Sequence, residues 1–188
     1  MSNFIAVFDA CVLHPASLRD LLIRLAMTEL FRARWTEEIH TEWQRSVQRR
    51  FPDVTARQLQ RTRELMDGAV PECLVTDYTG LADHIDLPDG SDRHILAAAI
   101  KCGAGAIVTY NLKDFPADQL PPGLTAQHPD EFVSHLFDLN RGLVCRAVKD
   151  QRESLTNPPF TVDQMLDRYL ANGLASTVEC LRQMRELL

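Results

Sequence analysis

Four acidic side chains occupy positions from which an α/β fold could bring them together. Asp9 directly follows an apolar segment, and Asp114 lies in the loop after another apolar segment. Asp92 lies at the predicted start of a helix, and Glu42 flanks the apolar stripe of a different helix. Because ligands of open parallel sheets gather at the carboxyl ends of the strands, we expect these carboxylates to share a pocket there. Such a pocket is repulsive unless a cation lies among the carboxylates, and its oxygen ligands suit Mg²⁺ or Mn²⁺.

Each acid also has an ordinary structural explanation. Asp9 could satisfy backbone groups in a tight turn, and Asp92 could cap its helix, since acids are favoured in the first helical turn. Glu42 taken alone is typical of a solvated helix face, and Asp114 of a loop. The joint placement of the four acids, and not any one of them, favours the cation site.

Short apolar segments alternate with helical patterns along the first part of the chain. Residues 4–8, 73–76 and 106–109 are predicted as strands because they are short and largely apolar. Amphipathic spacing, with Ser17 and Thr55 as caps, predicts helices that begin near Ser17, Thr36, Thr55, Asp92 and Pro129. In the third of these helices we expect Leu65 to face inward and Gly68 to end the helix. Strands alternating with helices imply an α/β fold with a parallel sheet.

The chain beyond residue 140 has no strand pattern. Apolar residues at helical spacing run through residues 143–148 and 162–170 and resume from 178 to 184. We therefore divide the chain into an α/β unit of residues 1–139 and a helical extension of residues 140–188. The apolar stripe of the extension is expected either to pack on the chain's own α/β unit or to contact another protein.

Composition places the chain among ordinary globular proteins. Its 188 residues are 45% hydrophobic and 24% charged, with a net charge of −6. An acidic protein binds nucleic acid poorly without a local basic surface. The five cysteines are widely spaced and form no C-x-x-C pair, which argues for a reducing compartment and against a structural zinc site. No apolar run approaches the roughly 18 residues of a membrane span, so we expect a cytoplasmic protein that enters no membrane.

Four segments, in order along the chain, resemble the motifs of PIN-domain ribonucleases. They are VFDACVL at residues 7–13, IHTEW at 39–43, DGSDRHILAAA at 89–99 and IVTYNLKDF at 107–115. The segments are particularly similar to those of VapC-like toxins from bacterial toxin–antitoxin pairs, and the resemblance covers about residues 3–138. The helical extension resembles the extra C-terminal domain of some longer members of that group.

The resemblance implies a PIN-like three-layer α/β/α fold with a central parallel sheet, and it implies roles for individual residues. The family's acidic cluster, which is both catalytic and metal-binding, maps onto Asp9, Glu42, Asp92 and Asp114. Asp89 is expected as an outer metal or water ligand, and Thr109 and Asn111 as polar residues that orient the site. Many PIN domains have an aspartate where this chain has Asn111, which shifts the fourth negative charge onto Asp114.

The activity implied by the resemblance is that of an endoribonuclease that uses Mg²⁺, or Mn²⁺, to hydrolyse single-stranded or loop RNA and leaves a 3′-hydroxyl. The resemblance also implies a cognate antitoxin that covers the pocket, and a homodimer. Basic side chains on adjoining helices could hold the RNA backbone or could form a solvated face. They are Arg45, Arg49 and Arg50, together with Arg57, Arg61 and Arg63.

Three histidines and one cysteine are weaker candidates. His94 and His128 can be metal ligands, although partly exposed capping histidines are the more ordinary explanation. His14 fits a turn, and its closeness to Asp9 also allows contact with substrate. Cys11 is the cysteine nearest the predicted pocket and is a candidate reactive thiol.

Two other functions stay open from the sequence. A haloacid-dehalogenase-type phosphatase also begins with a strand followed by aspartate, but its chemistry uses a second acid two residues later, where this chain has Cys11. A PIN-like module could bind RNA or protein without cutting it, although the intact acidic candidates argue against this. Neither G-x-x-x-x-G-K nor G-x-G-x-x-G occurs, so no nucleotide-cradling loop is predicted.

Overall fold

The fold is built around a parallel sheet in our computed structural model, which describes residues 4–188. Within that range the strand order is β2-β1-β3-β4, and every neighbouring pair is parallel. The strands are β1 (Ile5–Phe8), β2 (Arg32–Arg34), β3 (Ala106–Val108) and β4 (Thr125–Gln127). Phe8 pairs with Val108, so the next residues, Asp9 and Thr109, leave the sheet side by side. The predicted α/β class with a central parallel sheet and C-terminal helices is confirmed.

Helices surround the sheet and follow it at the C-terminal end. They are α1 (Ala10–Leu13), α2 (Ala16–Met27), α3 (Glu37–Arg50), α4 (Ala56–Ala69), α5 (Thr79–Ala82), α6 (Arg93–Cys102), α7 (Pro129–Leu139), α8 (Arg141–Ser154), α9 (Val162–Ala171) and α10 (Ala175–Arg182). The predicted cap Thr55 begins α4 and forms a capping box with Gln58, and Thr36, predicted as the start of a helix, caps α3 by accepting from the Ile39 N–H. Among the described residues, no helix combines the length and apolar character needed to cross a membrane.

Several local predictions are wrong. Residues 73–76 form no strand, and only Leu74 makes an isolated bridge, to Trp35. Ser17 is not the cap of α2, because Pro15 occupies the N-cap position without a side-chain bond. Gly68 lies inside α4 and does not end it, and Leu65 is 57% exposed. The apolar spacing of the sequence locates the helices, but contacts with residues distant in the sequence decide where each helix ends and which of its faces is buried.

Aromatic rings pack around the end of β1. The Phe8 ring centroid lies 5.9 Å from that of Phe31, 6.2 Å from that of Trp35 and 6.3 Å from that of Phe132. All four side chains are essentially buried. Because Phe8 directly precedes Asp9, this packing fixes the position from which the Asp9 side chain enters the site.

A buried polar network holds α3 against α4. The Trp43 indole N–H donates to His40 Nδ1 at 2.9 Å, and His40 Nε2 lies 2.9 Å from Asp67 Oδ1, which also accepts from the Trp35 indole N–H. His40 therefore carries its proton on Nε2 and donates it to Asp67. Burial lowers the pKa of His40 despite the nearby carboxylate. This network fixes the helix on which Glu42 is placed.

The C-terminal helices pack on the chain's own α/β unit. Met165, Tyr169 and Leu181 are no more than 1% exposed, and they belong to the same apolar core as the sheet. Gln151 of α8 donates to the Ser17 carbonyl at 2.8 Å and accepts from the Tyr169 hydroxyl at 2.6 Å. The stripe predicted in the extension thus faces inward, whereas the division at residues 139 and 140 stays a prediction.

Candidate metal and nucleic-acid site

Asp9 lies at the carboxyl end of β1 and is only 5% exposed. Its N–H donates to the Val108 carbonyl at 3.1 Å, and its Oδ1 accepts from the Cys11 N–H at 3.3 Å, which caps α1. The hydroxyl of Thr109, fully buried at the end of β3, donates to Asp9 Oδ2 at 2.6 Å. The Asp9 carboxylate thus bonds a backbone N–H in its turn, as its ordinary structural explanation expects. Its oxygens still have lone pairs for another ligand.

Cys11 is a hydrogen-bond donor to Asp9. Its thiol lies 3.0 Å from Asp9 Oδ2, and its sulfur accepts from the Tyr110 N–H at 3.3 Å. Burial, followed by the charge of Asp9, raises the pKa of the Cys11 thiol far above its ordinary value. The thiol therefore stays protonated and is a poor nucleophile, which argues against the predicted reactivity.

Asp92 begins α6 without capping it. Its backbone occupies the N-cap position, but its side chain makes no capping hydrogen bond. Asp89 instead caps the preceding 3₁₀ turn by accepting from the Ser91 N–H at 2.9 Å and the Ser91 hydroxyl at 2.7 Å. The explanation of Asp92 as a helix cap is therefore wrong, and its carboxylate is available to another partner.

The loop after β3 connects three predicted residues to Asp9. The Asn111 N–H donates to Thr109 Oγ1 at 2.9 Å, so the Thr109 hydroxyl links this loop to the Asp9 carboxylate. The Asn111 carbonyl accepts from the Asp114 N–H at 3.0 Å, which closes the 3₁₀ turn Leu112–Asp114. The Asn111 side chain is exposed. The positions of Asn111 and Asp114 thus depend on the same hydroxyl that orients Asp9.

Negative charges converge on Asp92. Burial, followed by the charges of Asp9, Asp89 and Asp114, raises the pKa of Asp92 from 3.8 to about 6, and His94 offsets only part of this effect. The charges of these three aspartates therefore act on one position, the start of α6. At neutral pH Asp92 is ionised, and the group carries uncompensated negative charge. This is the electrostatic condition that favours a bound cation.

Glu42 lies one side chain away from that group. Its Oε1 is 3.1 Å from His94 Nε2, and Glu38 Oε2 is 3.5 Å from His94 Nδ1, although neither contact has the alignment of a hydrogen bond. Burial alone would lower the pKa of His94, but the carboxylates of Glu42, Glu38 and Asp92 outweigh burial and raise it. His94 thus lies against Glu42 and Glu38, and the charge of Asp92 also acts on it. It is 7% exposed and is not the partly exposed cap that the sequence suggested.

The donor set fits a hard divalent cation by its chemistry. Asp9, Asp92 and Asp114 offer carboxylate oxygens, the ligands that Mg²⁺ and Mn²⁺ prefer. Across residues 4–188, however, no three His, Cys, Asp or Glu side chains are arranged closely enough to hold a metal ion as they stand. Like-charged carboxylates repel one another, so a cation would draw these side chains closer than they now lie. The metal-binding role of the four acids stays a prediction.

The arginines predicted to hold RNA divide into two groups. Arg45, Arg49 and Arg50 are exposed on α3, and in the described part of the chain none of them pairs with a carboxylate. Arg63 instead forms ion pairs with Glu37 and, at 3.5 Å, with Asp67. Its charge is therefore offset within the fold, so Arg63 is a weaker candidate for binding RNA than the exposed arginines of α3.

Tyr110 contributes a contact that the sequence did not suggest. Its hydroxyl donates to the Asn172 carbonyl at 2.7 Å, and its ring packs edge-on against His128 with centroids 5.1 Å apart. His128 itself caps α7 by accepting from the Asp130 N–H at 3.2 Å, as its capping explanation expects. The C-terminal helices thus hold the residue between Thr109 and Asn111. No local pattern could reveal a bond between residues 62 positions apart.

Comparison with known proteins covers both parts of the chain. The model of the PIN domain matches residues 6–113, and that of the VapC50 C-terminal domain matches residues 129–183. The protein named "Putative ribonuclease VapC50" from Mycobacterium tuberculosis (strain ATCC 25618 / H37Rv) is 42% identical over 77 residues. These residues are 40% of this chain and 46% of that relative, so the match spans less than half of the relative's length. No solved structure matches the chain.

Proposed function

Because this chain belongs to the PIN-domain family, we propose that it is a metal-dependent endoribonuclease and the toxin of a toxin–antitoxin pair. The observation that carries this proposal is the Asp92 carboxylate, which makes no capping bond and faces the charges of Asp9 and Asp114. The relative's name and the matched C-terminal domain support the same activity. A divalent cation is the partner that best offsets such a group.

The residues that would hold Mg²⁺, or Mn²⁺, are Asp9, Asp92 and Asp114, with Glu42 completing the set. When bound, such an ion neutralises phosphate charge and lowers the pKa of a water molecule, so that hydroxide can attack phosphorus at neutral pH. Thr109 holds one Asp9 oxygen by its 2.6 Å bond, and the Cys11 N–H holds the other at 3.3 Å, so the orientation of the Asp9 carboxylate is fixed. Asp89, three residues before Asp92, would hold a water molecule at the edge of the site.

RNA reaches an acidic pocket only if positive charge lies nearby. Arg45 and Arg49 follow Glu42 at three and seven residues, so they extend from it along the same face of α3. Their exposed guanidinium groups are suited to phosphate oxygens, and each contact would add to the salt dependence of binding. We assign to Arg45, Arg49 and Arg50 the binding of the RNA backbone.

The remaining parts of the proposal concern partners and location. A toxin of this kind requires an antitoxin that blocks the pocket, and we propose a homodimer as its active form. The five cysteines are free thiols, in keeping with a reducing compartment, and we propose a cytoplasmic location. A haloacid-dehalogenase-type phosphatase is disfavoured because the position two residues after Asp9 holds a protonated thiol.

An RNA-cleavage assay tests this proposal. Purified protein is incubated with end-labelled single-stranded RNA in Mg²⁺ or in EDTA, beside Asp9→Asn and the exposed control Asp118→Asn prepared identically. We expect Mg²⁺-dependent products from the unmodified protein and from Asp118→Asn, and none from Asp9→Asn. Cleavage in EDTA, or full cleavage by Asp9→Asn, would contradict the proposal. Metal and RNA binding without turnover would instead favour a non-catalytic module.

A further inference from the structure

Two aromatic rings lie together at the far ends of two helices that carry predicted site residues. His14 is the C-cap of α1, whose N-cap is Asp9, and its N–H donates to the Ala10 carbonyl at 3.1 Å. Phe51 is the C-cap of α3, and its N–H donates to the Val47 carbonyl at 2.8 Å. The ring planes of His14 and Phe51 are inclined by only 18°, and their centroids are 6.4 Å apart. Helix ends packed against each other thus hold the rings nearly parallel.

The Phe51 ring is open to solvent although nothing in its own helix requires a large apolar residue there. It is 51% exposed, and the Arg50 guanidinium lies over it at 5.9 Å from the ring centroid. The charges that act on His14 are also positive and come from Arg19 and Arg50. Exposed Arg49 continues the positive charge along α3 toward Glu42. The exposed ring therefore lies beside positive charge from Arg50, which Arg49 continues along α3.

The geometry points to a base-stacking subsite: we propose that His14 and Phe51 form a platform on which one unpaired RNA base stacks, beside the scissile phosphodiester. This inference rests on the proposed ribonuclease function. Aromatic faces combined with arginine are the usual means of binding single-stranded nucleic acid, because every base has a face to stack and every nucleotide has a phosphate. At 1.5 Å per residue, the five residues from Asp9 to His14 correspond to about 7.5 Å along α1. A base on the platform therefore belongs to a nucleotide close to the metal-binding acids.

The positive surroundings favour RNA over a protein as the occupant. A protein interface of ordinary composition would surround Phe51 with further apolar side chains, but the Arg50 guanidinium lies over its ring and the charges that act on the adjacent His14 are positive. The platform also predicts a preference for unpaired RNA, because a base in a duplex already stacks on its neighbours. The subsite would thus select single-stranded or loop segments for cleavage.

Fluorescence anisotropy of a labelled 12-nucleotide RNA of mixed sequence tests the platform. The RNA is titrated with the cleavage-deficient Asp92→Asn protein in EDTA, which separates binding from turnover. In this background Phe51→Ala is compared with Phe51→Trp and with Leu139→Ala, which truncates a side chain that is 66% exposed on α7. An oligomer of the same length built of abasic sugars provides the phosphates without bases.

We expect Phe51→Ala to weaken binding of the mixed-sequence RNA about 5- to 100-fold, the usual effect of losing one stacked base. Phe51→Trp and Leu139→Ala should bind within about threefold of their parent. The abasic oligomer should bind equally to Phe51→Ala and its parent, because the two changes remove the same interaction. The platform is contradicted if Phe51→Ala binds the mixed-sequence RNA as tightly as its parent, or if it weakens binding of the abasic oligomer by the same factor. It is also contradicted if Phe51→Ala changes the oligomeric state of the protein and leaves RNA binding unchanged.

The same proteins separate this inference from the proposed function. Phe51-dependent binding without Mg²⁺-dependent cleavage by the unmodified protein would support the platform and contradict the nuclease. Mg²⁺-dependent cleavage combined with RNA binding that does not depend on Phe51 would support the nuclease and contradict the platform. Because Phe51 is half exposed, we expect Phe51→Ala to unfold at the same urea concentration as its parent, and a circular dichroism titration checks this.

Discussion

The raised pKa of Asp92 predicts that Asp92→Asn stabilises the metal-free protein while it abolishes cleavage. Partial burial, followed by the like charges of Asp9, Asp89 and Asp114, disfavours the ionised form of Asp92. Asparagine has nearly the same shape but no charge, so it removes this repulsion and leaves the packing of α6 intact. The acidic side chains that serve the function would thus lower the free energy of unfolding of the metal-free protein.

The magnitude follows from the pKa of Asp92. A rise from 3.8 to about 6 corresponds to about 3 kcal/mol between the two protonation states. Because Asp92 is only partly buried, solvent screening reduces the expected gain in the free energy of unfolding to about 1–2 kcal/mol at pH 7.5. For a chain of this length, such a gain raises the melting temperature by about 2–8 °C.

The pH dependence has a definite sign. Between pH 3.8 and about 6 the folded protein binds the Asp92 proton more tightly than the unfolded chain does, so stability from this group falls as pH rises. The penalty is absent below pH 3.8 and complete above about pH 6. The stability difference between Asp92→Asn and the unmodified protein should therefore be larger at pH 7.5 than at pH 5.

Urea unfolding followed by circular dichroism measures these differences. The titrations are run in EDTA at both pH values, with the exposed Asp118→Asn as a matched loss of charge. Addition of Mg²⁺ should then stabilise the unmodified protein by mass action and leave Asp92→Asn unchanged. The reasoning is refuted if Asp92→Asn is no more stable than the unmodified protein at pH 7.5, or if the difference is the same at pH 5.

Three further predictions concern contacts that hold the site. Thr109→Val removes the 2.6 Å bond to Asp9, so we expect a 10- to 100-fold lower cleavage rate at saturating RNA, about 1–2 kcal/mol lower stability, and rescue by Thr109→Ser. Asp130 accepts the N–H groups that begin α10 at 2.8 and 2.9 Å. Asp130→Ala should therefore lower the free energy of unfolding, measured with urea, by about 1–3 kcal/mol and speed proteolysis of the C-terminal helices. The exposed control Asp138→Ala should do neither. Tyr110→Phe removes the bond to the C-terminal helices and should lower the free energy of unfolding by about 0.5–1.5 kcal/mol in the same titration, and an unchanged midpoint would contradict the importance of that bond.

Local patterns in the sequence suffice for the elements that carry the site. An apolar run ending in Asp9 and another ending in Thr109 identify β1 and β3, and their parallel pairing brings the two residues together. The caps Thr36 and Gly103 mark the start of α3 and the end of α6, since Gly103 adopts a left-handed conformation with φ 66°. These features are encoded within a few residues, so a reading of the chain alone finds them.

Features that depend on distant neighbours were not predictable. The strands Arg32–Arg34 and Thr125–Gln127 have three residues each and no apolar alternation, and they are strands only because they pair with β1 and β3. His94 is the second residue of an apolar helix, and its sequence neighbours do not reveal that Glu38 and Glu42 of α3 face it. The packing of two helices decides that contact, and no local periodicity records it.

The central claim, that separate aspartates share one divalent cation, is tested most directly by anomalous diffraction from crystals of this protein grown with Mn²⁺. We expect an anomalous peak within about 2.5 Å of carboxylate oxygens from Asp9 and from Asp92 or Asp114, and no such peak in Asp92→Asn crystals grown under the same conditions. A Mn²⁺ peak bound elsewhere, or none at these aspartates at saturating Mn²⁺, would contradict it.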